Sequence, residues 1–315
     1  MTSVINILNY FKKKYEIFNL IDELHNYISN YDLSKININE NNLDKYHNKK
    51  SHKFDIVMFH SQFNESSVIK YKDIDKSFDL QEYNYNEIIK TNIDYLSKSN
   101  KVNKIFLFSN YHFEISKSEK INIIDTKIDT KKLMYERVLS MYSFIKSNLF
   151  LNNTCIIDTD VFINFDKLNI FNRNFDIALT HRPTRTLMPI NEGVILVKKN
   201  PNSNVKVFFE NYLKIFSIIS KSREVKSFYG DDINKWRGGQ LSLNVLSKSS
   251  ESIFKDYEII EVYKNKVLIL PTFHFNFTPT RLKGYTLKYL RNKSIIHYKG
   301  STKKYLKDFK EIYSC

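Results

Sequence analysis

Asp158-Thr159-Asp160 closes the apolar run Cys155-Ile156-Ile157. So short a run reads as a buried strand. Paired acids at its end are costly to desolvate unless a cation or hydrogen bonds compensate. On extended backbone, side chains at i and i+2 point the same way, so the sequence predicts two converging carboxylates. Such a pair makes a hard-oxygen site for Mg²⁺ or Mn²⁺, ions that keep open positions for phosphate oxygens. A D-x-D by itself is common in solvated loops; its place after a buried strand is what selects the metal reading. Three further motifs could complete the site. Asn191-Glu192-Gly193 precedes the apolar Val194-Ile195-Leu196-Val197. Gln240 and Asn244 follow Gly238-Gly239 at a spacing that shares one helical face. His297 follows Ile295-Ile296 and leads through Gly300 to Lys303. A histidine at a strand end can be a third metal ligand, and a lysine past a glycine turn can reach the same phosphates.

These motifs need elements that bring them together. Short apolar runs at 54–60, 104–109, 121–124, 154–163, 176–180, 193–197, 267–270 and 294–297 read as strands. Segments 81–99, 131–150, 203–220 and 239–248 read as helices. Strands alternating with helices imply an α/β domain with a mostly parallel sheet covered by helices on both faces. In such a sheet, ligands bind at the carboxyl ends of the strands. Ahead of it, residues 1–30 carry apolar side chains at helical spacing, and 31–53 are polar and loop-like. The expected division is 1–53, a helical segment and linker, and 54–315, the main domain.

Composition narrows the classes. An apolar content of 42 % and 24 Phe support a real core, and 6 Gly with 5 Pro exclude a collagen-like or linker-rich chain. The early strands lack a G-x-G-x-x-G and a P-loop, which argues against dinucleotide dehydrogenases and P-loop NTPases. Two cysteines, Cys155 and Cys315, exclude a disulfide framework and a Cys-based zinc module. With no long apolar span and charges near the N-terminus, the expectation is a soluble, cytoplasmic protein. The net charge of +15 suits nucleic acid or an anionic surface. A chain rich in Lys, Asn and Ile with the single alanine Ala178 also fits an AT-rich coding bias.

The order D-T-D, N-x-G, Q-x-x-x-N and H-x-x-G-x-x-K resembles glycosyltransferase family 8, over about residues 54–305. The resemblance implies a GT-A fold: a Rossmann-like, mixed, mostly parallel sheet flanked by helices, here with an N-terminal helical extension. It implies a retaining, metal-dependent transfer from a nucleotide-sugar, usually a UDP-sugar, to a carbohydrate, lipopolysaccharide or glycolipid hydroxyl. By the same resemblance, Asp158, Asp160 and His297 are the Mn²⁺ (or Mg²⁺) ligands, with Asp158 also near the nucleotide ribose. Gly300 and Lys303 form the diphosphate-binding turn, and Arg137 touches the donor. Asn191 contacts sugar or acceptor, and Gln240 lies on the β-face of the donor sugar. Gly239 and Leu241 stand where the family usually has aspartates, which leaves Asp231 and Asp232 as candidates for a further carboxylate.

Two other classes remain open on sequence. A metal-dependent nucleotidyltransferase or nuclease would want a third carboxylate near the pair, for which Asp166 is the near candidate. A non-enzymatic basic binding module would need its cations striped, and these are scattered. Nucleic acid is therefore not the expected partner. The basic tail around Lys303-Lys304, Lys307 and Lys310 would lie near anionic lipid if the acceptor is lipid-linked. The segment His181-Arg182-Pro183-Thr184-Arg185 reads as pocket lining or exposed loop. Trp236 reads as a sugar-stacking ring or a core aromatic, and Phe273-His274-Phe275-Asn276-Phe277 reads as packing.

Overall fold

A computed structural model describes residues 43, 45–61, 85–113, 118–182, 189–229, 233–247, 254–279 and 287–306. The helical reading of 1–30, Asp231, Asp232, residues 183–188 and Cys315 lie outside the described residues. The strands are β1 (Phe54–His60), β2 (Val102–Ser109), β3 (Ile121–Asp125), β4 (Thr154–Ile157) and β5 (Val161–Ile163). They continue with β6 (Ile177–His181), β7 (Ile190–Val197), β8 (Ile259–Val262), β9 (Asn265–Pro271) and β10 (Ile295–His297). The main helices are α1 (Tyr85–Lys98), α2 (Leu133–Lys146), α3 (Val205–Lys221), α4 (Arg223–Tyr229) and α5 (Gly238–Leu246).

Eight strands form one sheet in the order β3-β2-β1-β4-β7-β6-β9-β8. Pairings β3-β2, β2-β1, β1-β4 and β6-β9 are parallel. β7 is antiparallel to both neighbours, and β8 is an antiparallel edge. The chain is thus an α/β protein with a mixed, mostly parallel sheet flanked by helices. The alternation of side chains along a strand divides its core in two. Val57, Ile156, Leu179 and Ile195 face the cluster built with α2, α3 and α5. Ile56, Met58, Ile157, Ala178 and Val194 face the other cluster, with Ile89, Ile93 and Leu96 of α1. Both faces are covered, so the central strands read as unbroken apolar runs.

The sequence joins 154–163 into one strand. The structure divides it into β4 and β5, because Asp158–Asp160 leaves the sheet as a turn, closed by Val161 N–H donating to Asp158 O at 3.1 Å. The two aspartates therefore converge across a turn, not along extended backbone as the i, i+2 reading expected. β5 then pairs antiparallel with β10 in a separate two-stranded sheet, with His297 opposite Val161. A third apolar cluster, with Ile88, Phe162, Ile296 and Tyr298, backs this small sheet. Residues 46–53 have no regular structure but are tied to the base of the large sheet. Tyr46 donates to Ile123 O, Asn48 to Asp55, and Ser51 N–H to Asn152. No helix among the described residues is long and apolar enough to cross a membrane.

Asn92, fully buried on α1, fixes the turn from behind. Its Nδ2 donates to Thr159 O at 3.0 Å and to Val161 O at 2.9 Å. Asn92→Leu leaves those two carbonyls unpaired, and urea denaturation should show a loss of about 1–3 kcal/mol. An unchanged midpoint would mean that the turn is held by the β5–β10 pairing alone.

Candidate active site

Asp158, Asp160 and His297 form the metal-type cluster found among the described residues, with one ligand atom from each within 4.8 Å of the others. Asp166 is not part of it. Three strand ends make the cluster. Asp158 follows β4, where its N–H donates to Gly193 O at 3.1 Å. Asp160 is held by Tyr298 N–H, which donates to its carbonyl at 3.0 Å. His297 ends β10, and its Nε2 lies 3.0 Å from Asp160 Oδ1 and 3.5 Å from Asp158 Oδ2. Gly193 on β7 closes the cradle. A Cβ there would stand 2.7 Å from Asp158 Oδ2 and as close to the His297 ring, so only glycine fits beside both ligands.

Lys303 reaches the same cluster. Gly300, at φ 48°, turns the chain in the left-handed region that suits glycine and opens a short 3₁₀ helix, Gly300–Tyr305. That helix carries Lys303 Nζ to 2.6 Å from Asp160 Oδ2. Burial alone would raise the Asp160 carboxyl. Lys303 outweighs burial and holds it well below the usual carboxylate range. Burial, assisted by Lys299, pushes His297 below its ordinary value despite the two aspartates. Its ring is therefore neutral at pH 7, with a lone pair available.

Arg137 enters from α2 on the other side. The sequence resemblance expects it to touch the donor. In the structure its guanidinium is buried and engaged by protein groups. Nη2 donates to Asp158 Oδ1 at 2.8 Å and to Glu192 O at 3.1 Å, and Nη1 pairs with Glu192 Oε1. Burial opposes its charge, but Glu192 and Asp158 prevail and keep it protonated. Glu192 also accepts from the Tyr212 hydroxyl at 2.9 Å. The space that a side chain at position 239 would need is filled by the Glu192 carboxylate. A carboxylate thus reaches the neighbourhood of Gln240 from β7 rather than from position 239.

Gln240, buried on α5, accepts from Arg182 Nη2 at 2.5 Å through Oε1. Its neighbour one turn on, Asn244, accepts from Ile190 N–H at 3.0 Å and so anchors the start of β7. Asn191 lies where the register of β6 and β7 slips between Leu179 and Thr180. Such a bulge redirects side chains, and here it turns Asn191, Glu192 and Gly193 toward the cluster. Trp236 belongs to a short π-helical segment, Ile233–Arg237, just before α5.

Sequence reasoning missed Glu192, Tyr212, Asn276 and Asn92. The one available signal was a glutamate inside the apolar run that becomes β7. Asn276 was read as packing between two phenylalanines. It is instead a buried hydrogen-bonding hub that touches His297 and Asn191.

His60 ends β1 on the same edge of the sheet, buried against Phe113 at 5.2 Å, with no partner for Nε2 among the described residues. Burial pushes it down to about 4. The unfolded chain takes up that proton near the ordinary value, so folded stability should fall as pH drops through 6.5 toward 4. The loss from this group reaches about 2 kcal/mol by pH 5. Urea titrations at pH 7 and pH 5 test this, and His60→Phe should flatten the difference by that amount. Loss of the buried ion pair is more damaging. Glu192→Leu strands Arg137 beside Asp158 alone and should cost about 3 kcal/mol in thermal denaturation.

No family model matches the chain, and no curated protein matches it. Among solved structures, the chain is similar to a glycosyltransferase involved in glycosylation of the major capsid of PBCV-1. Identity there is 12%, over 83% of this chain and 100% of that one, at a TM-score of 0.41. It is similar to the galactosyltransferase LgtC in complex with donor and acceptor sugar analogues. Identity is 10%, over 83% of this chain and 95% of that one, at a TM-score of 0.44. It is also similar to the glycosyltransferase GlyE of Streptococcus pneumoniae TIGR4. Identity is 15%, over 83% of this chain and 63% of that one, at a TM-score of 0.45. All three are glycosyltransferases.

Proposed function

We propose that this chain is a divalent-metal-dependent glycosyltransferase. It would move a sugar from a nucleotide diphosphate, with UDP the favoured nucleotide, to a glycan, lipopolysaccharide or other hydroxyl acceptor, with retention. One observation carries the reading. Asp158, Asp160 and His297 converge at the sheet's ligand-binding edge with the Lys303 ammonium on the same Asp160. Two carboxylates and one neutral imidazole suit Mn²⁺ or Mg²⁺, and Gly193 leaves room beside them. When bound, such an ion supplies Lewis-acid stabilisation of a departing diphosphate.

The chain's own residues supply the rest. Lys303 is placed to donate to a diphosphate oxygen, adding charge where the leaving group gains it. Arg137 acts through Asp158, holding one carboxylate oxygen so that the other faces the cluster. Gln240 has its oxygen fixed by Arg182, which leaves its amide as the group beside the reacting sugar. In the retaining course, the acceptor oxygen bonds to the anomeric carbon from the leaving-group side. The bond from that carbon to the phosphate oxygen breaks, and the acceptor's proton passes to the phosphate. Asn191 is the side chain we assign to sugar or acceptor contact. An inverting course would instead need a carboxylate base, for which Asp231 or Asp232 would serve.

Asp158→Ala and Asp160→Ala should each lower metal-dependent hydrolysis and transfer by at least about 10²-fold. A thermal-shift screen of nucleotide-sugars with and without Mn²⁺ identifies the donor. The true donor at about 100 times its Kd adds about 2.7 kcal/mol of stability, and only with metal present. Full transfer by the Asp158→Ala, Asp160→Ala double variant in EDTA would sink the reading.

A further inference from the structure

Asn276 follows the short helix Thr272–Phe275 and is 2% exposed. Every group around it has a determined role. The Gly193 N–H can only donate, and it meets Asn191 Oδ1 at 3.1 Å, which identifies that atom as the oxygen. The Asn276 atom 2.6 Å from Asn191 Oδ1 must then be a donor, Nδ2. Its second proton goes to Thr180 Oγ1 at 2.9 Å. The Thr180 hydroxyl spends its own proton on Asn191 O at 3.1 Å and so must accept from Asn276. With Nδ2 fixed on this side, Asn276 Oδ1 is the atom 2.9 Å from His297 Nδ1. An amide oxygen can only accept, so Nδ1 carries the proton.

The consequence reaches the other side of the ring. A neutral imidazole protonated at Nδ1 presents a lone pair at Nε2. That lone pair faces Asp160 Oδ1 at 3.0 Å and Asp158 Oδ2 at 3.5 Å, so three acceptors point at one another. With the ring neutral, a cation at Nε2, either a proton or a metal ion, is what satisfies all three. We propose that Asn276 is a positioning residue that selects the Nδ1–H tautomer of His297 and thereby presents Nε2 to a divalent ion. This rests on the metal-dependent reading above. The selection originates in the Gly193 amide and the Thr180 hydroxyl, so the bulge in β7 and the ligand on β10 are linked through one side chain.

Long-range ¹H–¹⁵N correlation on the metal-free, full-length protein with ¹⁵N-labelled histidine reads the tautomer directly at pH 8, with His297→Asn used for assignment. The expected result is a protonated Nδ1 in the native chain and a shift toward protonated Nε2 in Asn276→Leu. Electron paramagnetic resonance of added MnCl₂ should show affinity about 10–100-fold weaker in Asn276→Leu. The native spectrum decides the matter even if a variant fails to fold. A protonated Nε2 in the native chain overturns the proposal, as does unchanged Mn²⁺ affinity in a folded Asn276→Leu. Absence of Mn²⁺ binding in the native protein, with Nδ1 protonated, would defeat the proposed function and leave the tautomer assignment standing.

Discussion

Charge balance among largely buried groups is the constraint on which the rest of the site depends. Three carboxylates, Asp158, Asp160 and Glu192, gather at the edge of the sheet, and two cations, Arg137 and Lys303, answer them. Charges about 4 Å apart near a protein surface interact by about 4 kcal/mol, and by more where water is excluded. Each acid therefore has to be met by a cation of matching reach. The planar Arg137 fork spans two acids at once, Nη1 on Glu192 and Nη2 on Asp158, in a fixed geometry. Lys303 is a point charge delivered by the 3₁₀ helix after β10. With His297 neutral, the set retains an excess of negative charge, which favours a cation within it.

The fold meets this constraint by interrupting its own regularity. A wholly parallel sheet would send every strand toward the same edge. β7 runs the other way, so its first residues arrive at the carboxyl edge of the parallel strands rather than its last. The slip in its register then brings Asn191, Glu192 and Gly193 beside the metal-type cluster. Gly193 supplies space, Glu192 supplies charge, and Asn191 supplies a fixed acceptor for Asn276. Three consecutive residues thus perform three unlike tasks within one strand start.

Much of this was legible in the sequence. The central strands are covered on both faces, so they show as apolar runs at β1, β2, β4, β7 and β9. β8 escaped notice because it is a half-exposed edge whose pattern, Ile259 to Val262, mixes exposed and buried positions. Asp158, Asp160 and His297 are legible because each sits where an apolar run meets a polar one, and Lys303 because it follows the Gly300 turn at a set spacing. Glu192 and Asn276 were not. A lone buried polar residue is explained only by its partners, and those lie far along the chain. Arg137 is 55 residues from Glu192, and His297 is 21 from Asn276. The path of the turn at Asp158–Asp160 was also hidden, since it depends on β5 leaving the large sheet to pair with β10.

That separate pairing sets an order of events. Both aspartates precede β5, whereas His297, Gly300 and Lys303 come only with β10 and the turn after it. Contacts of such long sequence separation form late, because loop closure costs entropy before it yields any contact. A nascent chain that has already threaded β1 through β9 still lacks β10. Its paired acids stand without Lys303 and without the imidazole, against a β5 that has no partner strand. The two-stranded sheet thus acts as a clasp fastened after the large sheet, and the cluster is complete only once β10 has joined β5.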